Sequence, residues 1–214
     1  MKVEKARVEE VRLSIPEGFS SVEKALEHFG RVCYRSEDKI TQDSAEKFVS
    51  MLYKRGHHAM LEFCDATVIY SCDRGKSHEQ VRHRLASFAQ ESTRYCSYAK
   101  AKFDSQITVI EQPTIEKNDA AKEVWTQANQ YVEEAYLNLL KLGVPPQSAR
   151  SILPIGLKTK LVVKANLREW LTIFGLRCDT PAHEIIRACS KEVLRTLHQR
   201  VPSIFADSAE KFLS

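Results

Sequence analysis

The run Arg82-His83-Arg84-Leu85-Ala86-Ser87-Phe88-Ala89-Gln90-Glu91-Ser92-Thr93-Arg94-Tyr95 holds the residue types best suited to chemistry in this chain. Three arginines and one histidine fall within thirteen residues, with Glu91 the single carboxylate among them. Ala86, Ser87, Ala89, Ser92 and Thr93 are small or hydroxyl-bearing. Guanidinium forks meet phosphate oxygens two at a time, and small side chains let backbone N–H groups approach as well. Each such charge-assisted hydrogen bond is worth roughly 1.5–3 kcal/mol. The run therefore suits a phosphate-bearing ligand. It also suits a solvated basic helix face, and charge alone favours that plainer reading.

Spacing adds a constraint. Ser77 is placed to cap a helix whose apolar positions are Val81, Leu85 and Phe88. On a continuous helix Arg82 and Arg84 point about 200° apart and cannot grip one phosphate. Either the helix ends near Arg84 or the two arginines serve different partners.

The elements around this run follow from periodicity and punctuation. Residues 2–13 alternate loosely, as a strand would. Ser21 caps a short helix ended by Gly30, and a second helix is expected over Thr41 to Arg55, stopped by Gly56. His57 and His58 lie in the next connection; they could serve a site, although exposed loop histidines are the simpler account. Cys64 to Cys72, Gln106 to Glu111 and Thr159 to Ala165 read as strands. A long helix is expected from about Glu116 to Leu142. Its stripe is Ala121, Val124/Trp125, Ala128, Tyr131/Val132, Ala135, Leu139 and Leu142, which could be core or a subunit contact. Further turns over Gln147 to Leu153 carry Arg150. A helix over Asn166 to Phe174 is ended by Gly175, a polar turn follows at Leu176 to Asp179, and Thr180 with Pro181 opens the last long helix. A small amphipathic piece, Ser208 to Leu213, closes the chain.

The totals bound the answer. The chain has 214 residues, 43% of them hydrophobic, which is enough for one domain over 1–214 with a true core. A net charge of +4 permits an anionic small molecule or a nucleic acid and requires neither. Six cysteines without a CxxC pair, and no leader-like N-terminus, point to reduced thiols in a cytoplasmic protein. No apolar run approaches a membrane span, and no zinc spacing is present, so neither a membrane nor a metal is expected. Strands and helices are interspersed without a GxGxxG or a GxxxxGK[ST], so an α+β fold with a mixed or antiparallel sheet and long helices is expected, not a doubly wound one.

Arg82-His83-Arg84, seven residues, then Ser92 resembles the signature of the flavin-dependent thymidylate synthases. Ser87 and Arg94-Tyr95 match the wider pattern. Gly56-His57 with Leu61-Glu62 resembles an upstream family block. Gly143-Val144-Pro145, Ala149-Arg150 and Leu153-Pro154 resemble a second, Asn166-Leu167-Arg168 and Leu176-Arg177 a third, and Ala182 to Arg187 the block after it.

The resemblance implies reductive methylation of dUMP to dTMP. The one-carbon unit would come from methylenetetrahydrofolate and the hydride from NADPH through FAD, in a homotetramer with shared active sites. Arg94 and Arg150 then look like dUMP phosphate ligands, Arg150 reaching a neighbouring subunit's site. Gln90, Glu91, Ser92 and Thr93 look like the rest of the nucleotide cradle, with Ser92 near the uracil. Arg177 looks like the cation that polarises the uracil; it and Ser92 are the expected catalytic residues. Arg82, His83 and Arg84 look like FAD contacts, Arg82 also lying near the nucleotide. His57, Gln90, Asn166, Leu167, Arg168 and Thr172 look like further cofactor-side residues.

Some positions depart from the family pattern. Ala89-Gln90, Glu79, Thr172 and His183 stand where other residues are usual, and a carboxylate at Glu79 would repel a nearby phosphate. Two other readings compete. One is a related flavin- and folate-dependent hydroxymethylase of a pyrimidine nucleotide. The other is a basic nucleic-acid-binding module, which would want more stacking aromatics than Phe88 and Tyr95.

Overall fold

A computed structural model describes residues 1–214, the side chain of Lys102 excepted. The strands are β1 (Lys2–Glu4), β2 (Arg7–Ser14), β3 (Asp65–Asp73), β4 (Ala86–Gln90), β5 (Thr108–Ile110) and β6 (Lys158–Asn166). The helices are α1 (Val22–Val32), α2 (Ala45–Lys54), α3 (Arg74–Gln80), α4 (Pro113–Glu116), α5 (Asp119–Lys141), α6 (Pro146–Ala149), α7 (Leu167–Arg177), α8 (Glu184–Arg200) and α9 (Pro202–Leu213). The fold is α+β, and its pairing is mixed. β1 runs parallel to β5, Val109 bridges Leu157 antiparallel, and a four-stranded sheet has the order β2-β3-β6-β4.

The chain forms two compact units. The first comprises Met1–Arg7, Tyr70–Arg82 and Ala89–Leu161. Its core gathers Tyr98, Ile107, Val109, Tyr136, Ala149 and Leu157, with α5 laying Trp125, Leu137, Leu139 and Leu140 against it. The second comprises Val8–Ile69, His83–Phe88 and Val162–Ser214. There α8 packs on α9 and α7, and α1 on α2. The Trp170 indole N–H donates to the Ala66 carbonyl at 3.1 Å, fixing α7 against β3.

Several boundaries differ from the sequence expectation, each for a local reason. The helix expected to run on from Ser77 begins at Arg74, because the Asp73 carboxylate at the end of β3 accepts the Lys76 N–H at 2.6 Å. It ends at Gln80. Val81 and Leu85, assigned to its apolar face, are exposed, and a two-residue alternation takes over in β4. The second helix starts at Ala45, not Thr41, since Ser44 Oγ accepts the Thr41 N–H and closes a turn there. Gly30 lies inside α1, where it admits α2; a Cβ there would sit 2.8 Å from Phe48 Cε1.

The long helix expected from about Glu116 begins at Asp119, because the Asn118 side chain caps the Ala121 N–H at 3.1 Å, and Pro113–Glu116 forms the separate α4. Gly143 ends α5 with φ +85°, and Val144 N–H closes on the Leu139 carbonyl. Asn166 caps α7, which continues through Gly175 to Arg177, so Arg177 stands on a helix and not in a turn. His183, not Thr180, caps α8, its Nδ1 accepting the Ile185 N–H. The closing amphipathic piece is a full helix from Pro202. Among the described residues no helix is long and apolar enough to cross a membrane, and no group of three or more His, Cys, Asp and Glu could hold a metal ion.

Candidate functional site

In the first unit the expected nucleotide residues are assembled by β4 and the turn behind it. The Glu91 N–H donates to the Lys160 carbonyl, which extends the strand pairing by one residue. The chain then turns at Ser92: its carbonyl accepts from the Tyr95 and Cys96 N–H groups, and its Oγ accepts the Arg94 N–H at 3.3 Å. Ser92 thus shapes the turn that presents Arg94.

Arg94 Nε donates to Gln147 Oε1 at 3.2 Å. Arg150 Nε donates to the Gln147 carbonyl at 3.2 Å, and its Nη1 to Thr93 Oγ1 at 3.3 Å. Both arginines are exposed, and one glutamine orients both. An exposed pair of oriented guanidinium groups is an anion site. The amide of Gln90 is fixed as well, Nε2 donating to Ser77 Oγ at 2.8 Å and to Thr159 Oγ1 at 3.3 Å. That orientation leaves Oε1 to accept. Glu91 is half-buried; its carboxylate accepts from the Tyr98 hydroxyl, whose pKa is raised by burial and then by Glu91. Arg82 is exposed in the turn after α3.

The second unit holds the remaining residues. His83 is 5% exposed and lies between two groups of α7. Arg177 Nε donates to its Nε2 at 3.0 Å, and Glu169 Oε1 stands 3.5 Å from its Nδ1. Burial, then the Arg177 charge, lowers the imidazole pKa to about 4, so the ring is neutral at pH 7. Burial raises the Glu169 carboxyl. Both ring nitrogens of His83 are turned to protein groups.

Arg84 and Asn166 line a hollow of about 340 Å³ with Asp65, Ser87 and Lys164, whose Nζ pairs with Asp65 at 3.1 Å. Arg168 and Thr172 line another, of about 360 Å³, with Tyr53, His58, Asp207 and Lys211. There the Tyr53 and His58 rings stack at 5.1 Å, and Arg168 pairs with Glu62 at 2.6 Å. His57 is in neither hollow; its Nδ1 lies 2.7 Å from the Tyr34 hydroxyl. The Leu167 side chain is fully buried in the core, and its N–H donates to the Cys64 carbonyl at 3.0 Å.

Residues 18–203 match the family model described as thymidylate synthase complementing protein. The chain belongs to this family. Relatives named flavin-dependent thymidylate synthase include one from Geobacter sulfurreducens, 33% identical over 193 residues, spanning 87% of this chain and 82% of that protein. Another, from Corynebacterium diphtheriae, is 31% identical over 210 residues, spanning 90% and 81%. Among solved structures, a UMP/dUMP methylase from Streptomyces cacaoi bound with 5-Br dUMP shares the fold. Its TM-score is 0.77 at 18% identity, covering 99% of this chain and 98% of that one.

Within this family member the sequence reading missed Gln147, which joins Arg94 to Arg150. It also missed Glu169, which stands behind His83, and Ser77 and Thr159, which hold Gln90. Only Gln147, three residues before Arg150, and Glu169, beside Arg168, carry even a positional hint.

Proposed function

We propose that residues 1–214 form a cytoplasmic catalytic domain for the reductive methylation of dUMP to dTMP, with methylenetetrahydrofolate, NADPH and FAD. The observation that carries this reading is the convergence of Arg94 and Arg150 on Gln147. It builds a permanent dianion site from residues of the family signature, since guanidinium does not titrate away. Gln90 Oε1 accepts an N–H of the base, and Arg177 stabilises negative charge as it develops on the uracil. Ser92 lies by the nucleotide as a turn residue, and Glu91 and Thr93 brace the cradle. The names of the curated relatives support the flavin.

The residues present fit such a cofactor. Arg84, Lys164 and the Asn166 amide suit a pyrophosphate, and Arg168, Thr172 and the Tyr53–His58 ring stack suit the polar and planar parts of a dinucleotide. Arg82 and His57 belong to the same proposal, and His83 reaches the chemistry through Arg177. When bound, the flavin supplies the hydride.

Assembly as a homotetramer with shared sites is part of the reading. Val124, Ala128, Tyr131 and Ala135 on α5, and Leu142 just after it, are exposed, a stripe with the four-three spacing of a helix–helix seam. Two antiparallel copies set Tyr131 against Ala135 and Glu123 near Lys141.

The test is a visible spectrum and a product mass. Purified protein given FAD, NADPH, methylenetetrahydrofolate and dUMP should be yellow and yield dUMP gaining one CH₂. A product gaining CH₂O would show a hydroxymethylase. Failure to take up FAD, with nucleic-acid affinity falling steeply as salt rises, would show a binding module.

A further inference from the structure

We infer that Glu169 is a positioning residue for Arg177, acting through the neutral imidazole of His83. The inference rests on the reading of Arg177 as the base-facing cation. Glu169, Ile173 and Arg177 recur at i, i+4 and i+8 on α7 and share one face. Long helical side chains lean toward the N-terminus, so Arg177 reaches back over Ile173. His83, from the segment leading into β4, lies against this face. Ile173 is fully buried, Glu169 is 6% exposed and His83 5%, so the ring and the carboxylate are packed out of water, with Arg177 half-buried at the end of the row.

The tautomer follows from the donors. Arg177 Nε–H can only donate, and it stands 3.0 Å from His83 Nε2. A proton on Nε2 would set two N–H donors against each other, so the ring proton sits on Nδ1. Nδ1 faces the Glu169 carboxylate, an acceptor. The row reads carboxylate, neutral ring, guanidinium, with one N–H aimed into each gap. Without the acceptor at 169, Nδ1–H loses its partner and only the Arg177 contact is left to favour this tautomer. The ring also gains the freedom to turn, and the bond at Arg177 Nε loosens with it. The 3.5 Å separation is longer than an ordinary N–H···O bond, so what position 169 supplies is a weak acceptor on the Nδ1 side, which an amide oxygen also offers. Asn166, whose side chain accepts the Glu169 N–H at 2.8 Å, fixes the backbone at this position, and the first turn of a helix favours a carboxylate.

Glu169→Met and Glu169→Gln test the inference, because both keep the length of the side chain and only Gln keeps an acceptor. The first readout is the His83 tautomer, taken from two-bond ¹H–¹⁵N spectra of histidine-labelled, FAD-loaded protein and assigned with a His83→Asn variant. Wild type and Glu169→Gln should show Nδ1–H, and Glu169→Met a mixture. The second is turnover of dUMP. In Glu169→Met, kcat should fall on the order of 10–100-fold, as expected for a misplaced catalytic group, with KM for dUMP little changed. Glu169→Gln should recover most of it. An unchanged His83 tautomer in Glu169→Met, or equal kcat loss in both variants, would overturn the inference. Arg177→Ala separates the two levels. If it keeps full turnover, the reading of Arg177 fails, while the tautomer still reports on Glu169. If it abolishes turnover and Glu169→Met is silent, only the present inference fails.

Discussion

Arg94→Ala should weaken dUMP binding and leave deoxyuridine binding almost untouched. Arg94 Nε is committed to Gln147 and the guanidinium lies over the Tyr95 ring at 5.4 Å, while its two terminal nitrogens have no hydrogen-bond partner among the described residues. Those two donors are what a phosphate would take. A charge-assisted hydrogen bond is worth roughly 1.5–3 kcal/mol, but Arg94 is exposed, and exposed ion pairs are worth about 0.2–1 kcal/mol. Prior orientation by Gln147 lies between these limits, so a loss of about 1–2 kcal/mol is expected, a factor of about 5–30 in Kd. Arg150 already gives Nη1 to Thr93 and keeps one terminal nitrogen, so Arg150→Ala should cost somewhat less. Gln147→Ala, which removes only the Arg94 anchor Oε1, should cost less again. Isothermal titration of FAD-loaded protein with dUMP and with deoxyuridine reads all of this directly. The loss should shrink as salt rises, because screening weakens the wild-type contact. Equal weakening of dUMP and deoxyuridine by Arg94→Ala would show that the arginine shapes the turn and does not hold phosphate. No weakening of either would remove it from the site.

Three further outcomes are expected. The folded-state pKa of His83, about 4, lies below the 6.5 of free imidazole, so the unfolded chain takes up this proton first. Its stabilising contribution is therefore complete above pH 6.5 and lost as pH falls toward 4, by about 3 kcal/mol at most. The raised Glu169 carboxyl works in the opposite sense, and a His83→Asn variant should show a flatter fall of Tm over this range; parallel profiles would contradict the assignment. Ala135→Glu on the exposed seam of α5 should lower the sedimenting mass without altering far-UV circular dichroism, and an unchanged mass would place the subunit contact elsewhere. Gly30→Ala should destabilise by about 1–3 kcal/mol in urea melts, because the new Cβ meets the Phe48 ring at 2.8 Å; a neutral result would mean that α1 and α2 can part freely.

Much of the fold was legible because its signals are local. Ser21 before α1, Gly56 after α2, Gly143 after α5 and the β-branched runs of β3 and β6 all act within a few residues of themselves. The misread boundaries are those where a neighbour decided. Asp73 outcompeted Ser77 as a cap because β3 delivers its carboxylate to the start of α3. Gly30 resembles a helix stop until the Phe48 ring on α2 explains it. The stripe on α5 was read as one apolar face, yet it is two. Trp125, Val132 and Leu139 are half-buried while Val124, Ala128, Tyr131 and Ala135 face solvent. Periodicity gives a direction around the helix axis but not what lies in that direction.

The site residues divide along the same line. Arginines announce themselves by type, so Arg94, Arg150 and Arg177 could be named from the sequence. What orients them could not, because Gln147 is 53 positions from Arg94, and Arg177 is 94 positions from His83. A guanidinium on a flexible stem is a poor catalyst until its plane is fixed, since the gain comes from donors placed before charge develops. Each of these arginines commits Nε to a protein acceptor, Gln147 for Arg94 and Arg150 and His83 for Arg177. A bond at Nε fixes the plane without itself using a terminal nitrogen; Arg94 keeps both for a ligand, and Arg150 gives Nη1 to Thr93 and keeps one. For the exposed pair, a neutral amide and a carbonyl suffice as anchors. Arg177 is half-buried, and its anchor is a ring that could present either a lone pair or a proton. There a further group, the Glu169 carboxylate facing Nδ1, joins the guanidinium in favouring the proton on Nδ1.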